Sequence, residues 1–154
     1  MSPGTESLIL EGVEVLWPNF RGLKTLYNDA GSRIFHIVID DLDLAEKLFA
    51  DGWNLKPLKN EDGEVDAYHL QVKINFDSYR PPQIFKIRPG KEPLLLDESA
   101  MGMCDILPID FVDIEINPYA WSVRGETGIK AYLSSMFITF KENRLYDKYL
   151  DIGP

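Results

Sequence analysis

The sequence predicts a mostly β domain with one or two short helices, a small Greek-key barrel of the OB type. Three observations carry this reading. Residues 67–77 alternate apolar and polar side chains with a period of two, the pattern of a strand with one buried face. Other strand-like runs are separated by short turn signals, as in compact all-β domains. One clear helical pattern interrupts them, and short strands with one intervening helix fit a small closed barrel.

In chain order, residues 7–16 read as the first strand. Residues 33–40, Arg-Ile-Phe-His-Ile-Val-Ile-Asp, are nearly all apolar and β-branched, which places them centrally in a sheet. Asp41 or Asp43 can cap a helix in which Leu42, Leu44, Ala45, Leu48 and Phe49 recur at helical spacing and which Gly52 ends. In the long strand, Tyr68, Leu70, Val72, Ile74 and Phe76 share one face, and His69, Gln71, Lys73, Asn75 and Asp77 the other. Residues 97–106 suit a second short helix. Residues 111–117 alternate again, Val112, Ile114 and Ile116 against Asp113, Glu115 and Asn117. Residues 128–141 are apolar on both faces, which suits a strand that bends or passes between layers. A third short helix fits 143–150. Turn signals lie at 28–31, 60–63, Arg80-Pro81-Pro82 and 124–128, the last closing a hairpin.

At 154 residues the chain reads as one domain, 1–154, with a core of about 8–140 and a tail from 141. No apolar run approaches the roughly 20 residues of a membrane span, and the first residues lack the pattern of a secretory signal. The single Cys104 allows no internal disulfide, which points to a reducing cytoplasm. A net charge of −9 argues against general duplex-DNA binding.

Catalytic signatures are absent from the sequence. Two histidines, His36 and His69, and one cysteine show no metal-ligand spacing. No phosphate-binding glycine loop or nucleophile elbow appears. Asp110, Asp113 and Glu115 could in principle gather a metal, but every lysine lacks an acid two residues before it, so a common nuclease element is missing. His36 reads as a satisfied sheet histidine and Cys104 as a small packing residue. No cofactor is expected.

The charge is segregated. Residues 78–91 hold four cations and no acid, whereas 97–115 hold six acids and no base. The basic segments also carry aromatic rings, and single-stranded nucleic acid needs both: cations for phosphates and flat rings for unstacked bases. The candidate rings are Trp17, Phe20, Tyr27, Tyr79, Trp121 and Tyr132. The candidate cations are Arg21, Lys24, Arg33, Lys73, Arg80, Lys86, Arg88 and Lys130. Trp17 and Phe20 can equally cap one end of the barrel. If the strand at 67–77 pairs with the one after it, Lys73, Lys86 and Arg88 form one basic surface, and reversing Lys86 and Arg88 weakens binding without unfolding. Lys130 and Tyr132 share a face by parity, a face that Met136 and Phe140 would also occupy.

The run Gly12-Val-Glu-Val-Leu-Trp-Pro-Asn-Phe-Arg21, then Tyr27-Asn28, Gly31, Arg33 and Phe35, resembles the N-terminal half of phage-encoded single-stranded-DNA-binding proteins. So do Asp51-Gly-Trp-Asn-Leu-Lys56, Ile116-Asn-Pro-Tyr-Ala-Trp121 and Gly128-Ile-Lys-Ala-Tyr-Leu133. The resemblance covers roughly 8–140. It implies an OB-fold that binds single-stranded DNA without sequence preference, enzymatic activity or cofactor, in phage DNA replication or recombination. Phage replication or recombination proteins are then expected partners. Such proteins often end in an acidic tail, but residues 141–154 hold three cations and three acids, which puts recruitment through the tail in doubt. The sequence leaves the oligomeric state open: Trp53, the tail or neither can form an interface. The alternative is an acidic interaction module in which 97–115 meets a basic protein or mimics DNA.

Overall fold

The computed structural model describes residues 6–25 and 30–141. The first strand path has two halves, β1 (Leu8–Val13) and β2 (Val15–Asn19), and turns at Gly12 with φ of 65°. There follow β3 (Arg33–Ile39), α1 (Leu42–Asp51), β4 (Leu55–Lys59), β5 (Val65–Ile74), β6 (Gln83–Lys86) and β7 (Leu94–Leu96). A 3-10 turn (Glu98–Ala100), α2 (Met101–Ile106), β8 (Ile109–Val123) and β9 (Glu126–Phe140) complete the described elements. The order across the sheet is β1-β8-β9-β5-β3-β2. Because β1 and β2 are one path, the sheet returns on itself. Only β5–β9 is parallel among these neighbours. This is the Greek-key barrel order of an OB-fold, in which β3 and β5 are the second and third barrel strands.

Period-two patterning decides which residues fill the barrel. Phe35, Ile37 and Ile39 of β3 turn inward with Leu70, Val72 and Ile74 of β5 and Val112, Ile114 and Ile116 of β8. In β9 the inward set changes parity: Ile129, Ala131 and Leu133 are buried, then Met136 and Ile138. The cause is one extra residue. Glu115 pairs with Ser135 and Ile116 with Leu133, so Ser134 is bulged. Its hydroxyl donates to Glu115 Oε1 at 3.1 Å. The strand that is apolar on both faces is therefore a bulged strand, and Met136 does not share a face with Lys130 and Tyr132.

α1 forms as the sequence dictates. The Asp41 carboxylate accepts the N–H groups of Asp43 and Leu44, and Gly52, left-handed at φ 99°, donates to Leu48 and Phe49 carbonyls. Ala45 and Leu48 are buried. The 97–106 helix is present as the 3-10 turn and α2. The β8–β9 hairpin turns on Arg124 and Gly125 alone, both at positive φ, the two-residue geometry that matches strand twist. The expected helix at 143–150 lies outside the described residues.

Two expectations are corrected. β6 pairs with β9 and β7, not with β5, so Lys73 and Lys86 do not lie side by side. Lys86 shares its parity with Ile84, the face that turns inward, and only 4% of it is exposed. Phe20 is fully buried, 5.2 Å from Phe35 between ring centroids, so its ring caps the core. Phe20→Ala should cost about 3–5 kcal/mol of stability in urea unfolding; a loss under about 1 kcal/mol would contradict this placement. Charge reversal at Lys86 should likewise destabilise, by more than about 3 kcal/mol, because it buries a carboxylate.

Candidate nucleic-acid interface

The same alternation that fills the barrel sets a polar row on its outside. In β5 these residues are His69, Gln71 and Lys73. Gln71 lies opposite His36 of β3, and Lys73 lies beside Tyr132 of β9. Across the hairpin, Tyr132 faces Asn117, Lys130 faces Tyr119, and Gly128 faces Trp121. Paired residues share a face. One continuous outer surface therefore runs from β3 through β5 and β9 to β8 and carries Lys73, Tyr119, Trp121, Lys130 and Tyr132. It is the second-and-third-strand face, flanked by the hairpin, on which OB-folds bind oligonucleotides and oligosaccharides.

Trp17 extends this surface across β2. The register of β2 on β3 slips by one residue between Leu16 and Asn19, and Trp17 takes a left-handed φ of 48° there. Its ring, 57% exposed, stands edge-on to His36 and His69 at centroid distances of 5.1 and 4.9 Å. The two Nδ1 atoms of His36 and His69 lie 2.9 Å apart, one donating to the other. Burial, then the neighbouring His69 and Lys56, pushes the His36 pKa down to about 4. Burial and Lys56 also lower that of His69.

Two clefts open on the surface. The larger, about 480 Å³, separates the 75–80 turn from the hairpin and is lined by Asn75, Ser78, Tyr79, Arg80, Asn117, Tyr119 and Tyr132, among others. Tyr79 is 96% exposed and Tyr119 59%; Tyr119 and Tyr132 meet edge to face at 5.9 Å. Large rings left this open are what stacking requires and what a core would have covered. The smaller cleft, about 230 Å³, has Lys73, Lys130 and Trp121 on its walls. No acid lines either one among the described residues. Trp121 lies directly over Gly128, where any Cβ would sit 2.8 Å from the indole, so the missing side chain seats the ring.

The structure thus brings Trp17, Lys73, Tyr79, Arg80, Trp121, Lys130 and Tyr132 onto one outer surface. Several other sequence candidates are engaged elsewhere. Arg33 donates to the Phe20 carbonyl at 2.9 Å and to Glu98 at 2.8 Å, and lies over the Phe76 ring. Arg88 donates twice to the Glu92 carbonyl. Phe20 and Lys86 are buried. Arg21 is exposed but lies against Gly102 of α2, and Lys24 is exposed in the β2–β3 loop. Tyr27 lies outside the described residues. Tyr119, Gln71 and the histidine pair also lie on this surface and were not among the sequence candidates; for Tyr119 the signal was its parity with Trp121.

The acidic segment is largely internal structure. Asp97 caps the 3-10 turn, Glu98 pairs with Arg33, and Asp105 accepts the N–H groups of Phe20 and Arg21. Asp113 accepts the Gly12 N–H and Glu115 the Ser134 hydroxyl. Such carboxylates pin loops to the barrel and are poorly placed to mimic a phosphate chain. Beside Asp105, burial pushes the Cys104 thiol up to about 12, leaving it an inert packing residue. Among the described residues, no group of three metal-ligating side chains occurs.

A family model described as "Putative phage ssDNA-binding domain" matches residues 3–154. Solved structures of the single-stranded DNA-binding protein from bacteriophage Enc34 are similar in fold. A C-terminal truncation has a TM-score of 0.57 at 9% identity, covering 89% of this chain and 87% of that one. The same phage protein in complex with ssDNA gives 0.55 at 9% identity, with 89% and 88% covered. No curated protein matches the chain.

The histidine pair yields a pH prediction. A His36 held neutral stabilises the fold fully above its ordinary value of about 6.5, and this contribution is lost as pH falls from there towards about 4. Between pH 7 and 5, urea stability should fall less in the His36→Gln, His69→Gln double variant than in the wild type. Equal slopes would contradict it.

Proposed function

We propose, since the chain belongs to the phage single-stranded-DNA-binding domain family, that it holds single-stranded DNA on the outer β3–β5–β9–β8 surface. The observation that carries this is the shared face of Lys73, Tyr132, Lys130, Tyr119 and Trp121 on adjacent strands. Lys73, Lys130 and Arg80 meet phosphates. Tyr79, Tyr119, Trp121 and Trp17 offer rings to bases, each stacked base adding about 1–3 kcal/mol. The net charge of −9 does not oppose this, because phosphates within about 8 Å respond to the local lysines.

Binding of this kind takes any sequence, since every base has a flat face and every nucleotide a phosphate. It needs no catalysis and no cofactor, and it protects single strands exposed during phage DNA replication or recombination in the host cytoplasm. The engaged acids of the 97–115 segment support this reading over a DNA-mimic role. No helix among the described residues is long and apolar enough to cross a membrane.

The Lys73→Glu, Lys130→Glu double variant should lose at least about tenfold in affinity for a labelled dT strand by fluorescence anisotropy, and its salt dependence should flatten by roughly two counterions. Its urea midpoint should stay near the wild-type value. Unchanged affinity in this folded variant would remove the face from the site. Incubation of single strands with magnesium or manganese should leave them intact.

A further inference from the structure

One edge of β5 is divided between two partners. β4 follows it up to the Leu55–Leu70 pair, and β9 takes over at Val72–Ala131. Gln71 falls between them. The start of β9 is held instead by Trp53, through a bridge to Ile129, so Asn54 spans the gap. The smaller cleft lies at this junction. Its floor is apolar and buried, and its walls carry the side chains of Asn54, Gln71, Lys73, Lys130 and Trp121.

This combination differs from the larger cleft, which has rings and a cation around a wider opening. At about 230 Å³ the small cleft is below the roughly 300 Å³ of the smallest drug-sized pockets, a volume suited to one planar heterocycle. Trp121, fixed over Gly128, supplies a stacking wall. Gln71 and Asn54 each bring an amide with one acceptor oxygen and two donor hydrogens. An amide meets a base edge that offers a neighbouring donor and acceptor, and adenine, with its N6 donor beside N7, is the base that Gln and Asn read in two bonds. Lys73 and Lys130 also line the cleft, available to the phosphates that flank an inserted base.

Resting on the surface assigned above, we infer that this cleft is a nucleobase subsite. One base leaves the run of the strand, lies against Trp121 and presents its polar edge to Gln71 and Asn54. The remaining contacts are indifferent to sequence, so the subsite adds a preference for adenine to binding that is otherwise general.

The test compares labelled dA20 and dT20 on wild type and on an Asn54→Ala, Gln71→Leu double variant at one salt concentration. Both residues are exposed, and the urea midpoint checks that the variant folds. The ratio of dA20 to dT20 affinity should be at least about tenfold higher in the wild type than in the variant; comparing ratios cancels the self-stacking of dA. Salt dependence should not change, since the lysines remain. An equal ratio in the two proteins overturns the subsite, as does an equal loss on both strands, while dT binding sensitive to Lys73 and Lys130 leaves the surface itself standing. Absence of wild-type binding to either strand would overturn the surface and the subsite together.

Discussion

A single extra residue, Ser134, governs how the longest strand serves two purposes. Before it, β9 sends Ile129, Ala131 and Leu133 inward and leaves Lys130 and Tyr132 outside; after it, Met136 and Ile138 turn inward instead. Without that bulge, a strict period of two would bury Lys130 and Tyr132 or expose Met136 and Ile138. Glu115 holds the bulge through the Ser134 hydroxyl. An acid of the acidic segment thereby fixes the face on which the opposite charge is displayed.

The rest of the interface follows from shared strand edges. β9 is too long for one neighbour on its β5 side, so β5 pairs with its first half and β6 with its second. The handover places the 75–80 turn, with Tyr79 and Arg80, beside the hairpin and forms the larger cleft. The handover from β4 to β9 along β5 forms the smaller one. Both openings arise where hydrogen-bonded pairing changes partner, because there the sheet cannot be continuous. Charge is sorted by the same geometry: carboxylates cap turns and loops through N–H groups, while Lys73 and Lys130 stand on the open face of β5 and β9.

The fold was legible wherever local patterning decides it. Alternation in 67–77 identified the inward and outward faces of β5, and Asp41 and Gly52 marked the ends of α1. The candidate site was legible in part. Trp17, Lys73, Trp121, Lys130 and Tyr132 lie on one surface, but Lys86, Arg33 and Phe20 do not join it. For Lys86 the facing was wrong, since alternation alone does not say which face turns inward, and the neighbour that decides is β9, more than forty residues later. Arg33 and Phe20 are tied to Glu98 and Phe35, contacts that join separate elements of the chain. The histidine pair and the Gln71 junction depend on pairing between distant strands, which a linear pattern does not contain.

The three tryptophans report at once on where the strand binds. Trp17 and Trp121 border the surface proposed for DNA, whereas Trp53 is buried. The measurement is the titration of their three indole N–H resonances with a dT strand. The Trp121 and Trp17 signals should shift with saturating, salt-sensitive curves while Trp53 moves little. Saturating binding that leaves both Trp121 and Trp17 unmoved would contradict this and place the strand on another face of the barrel.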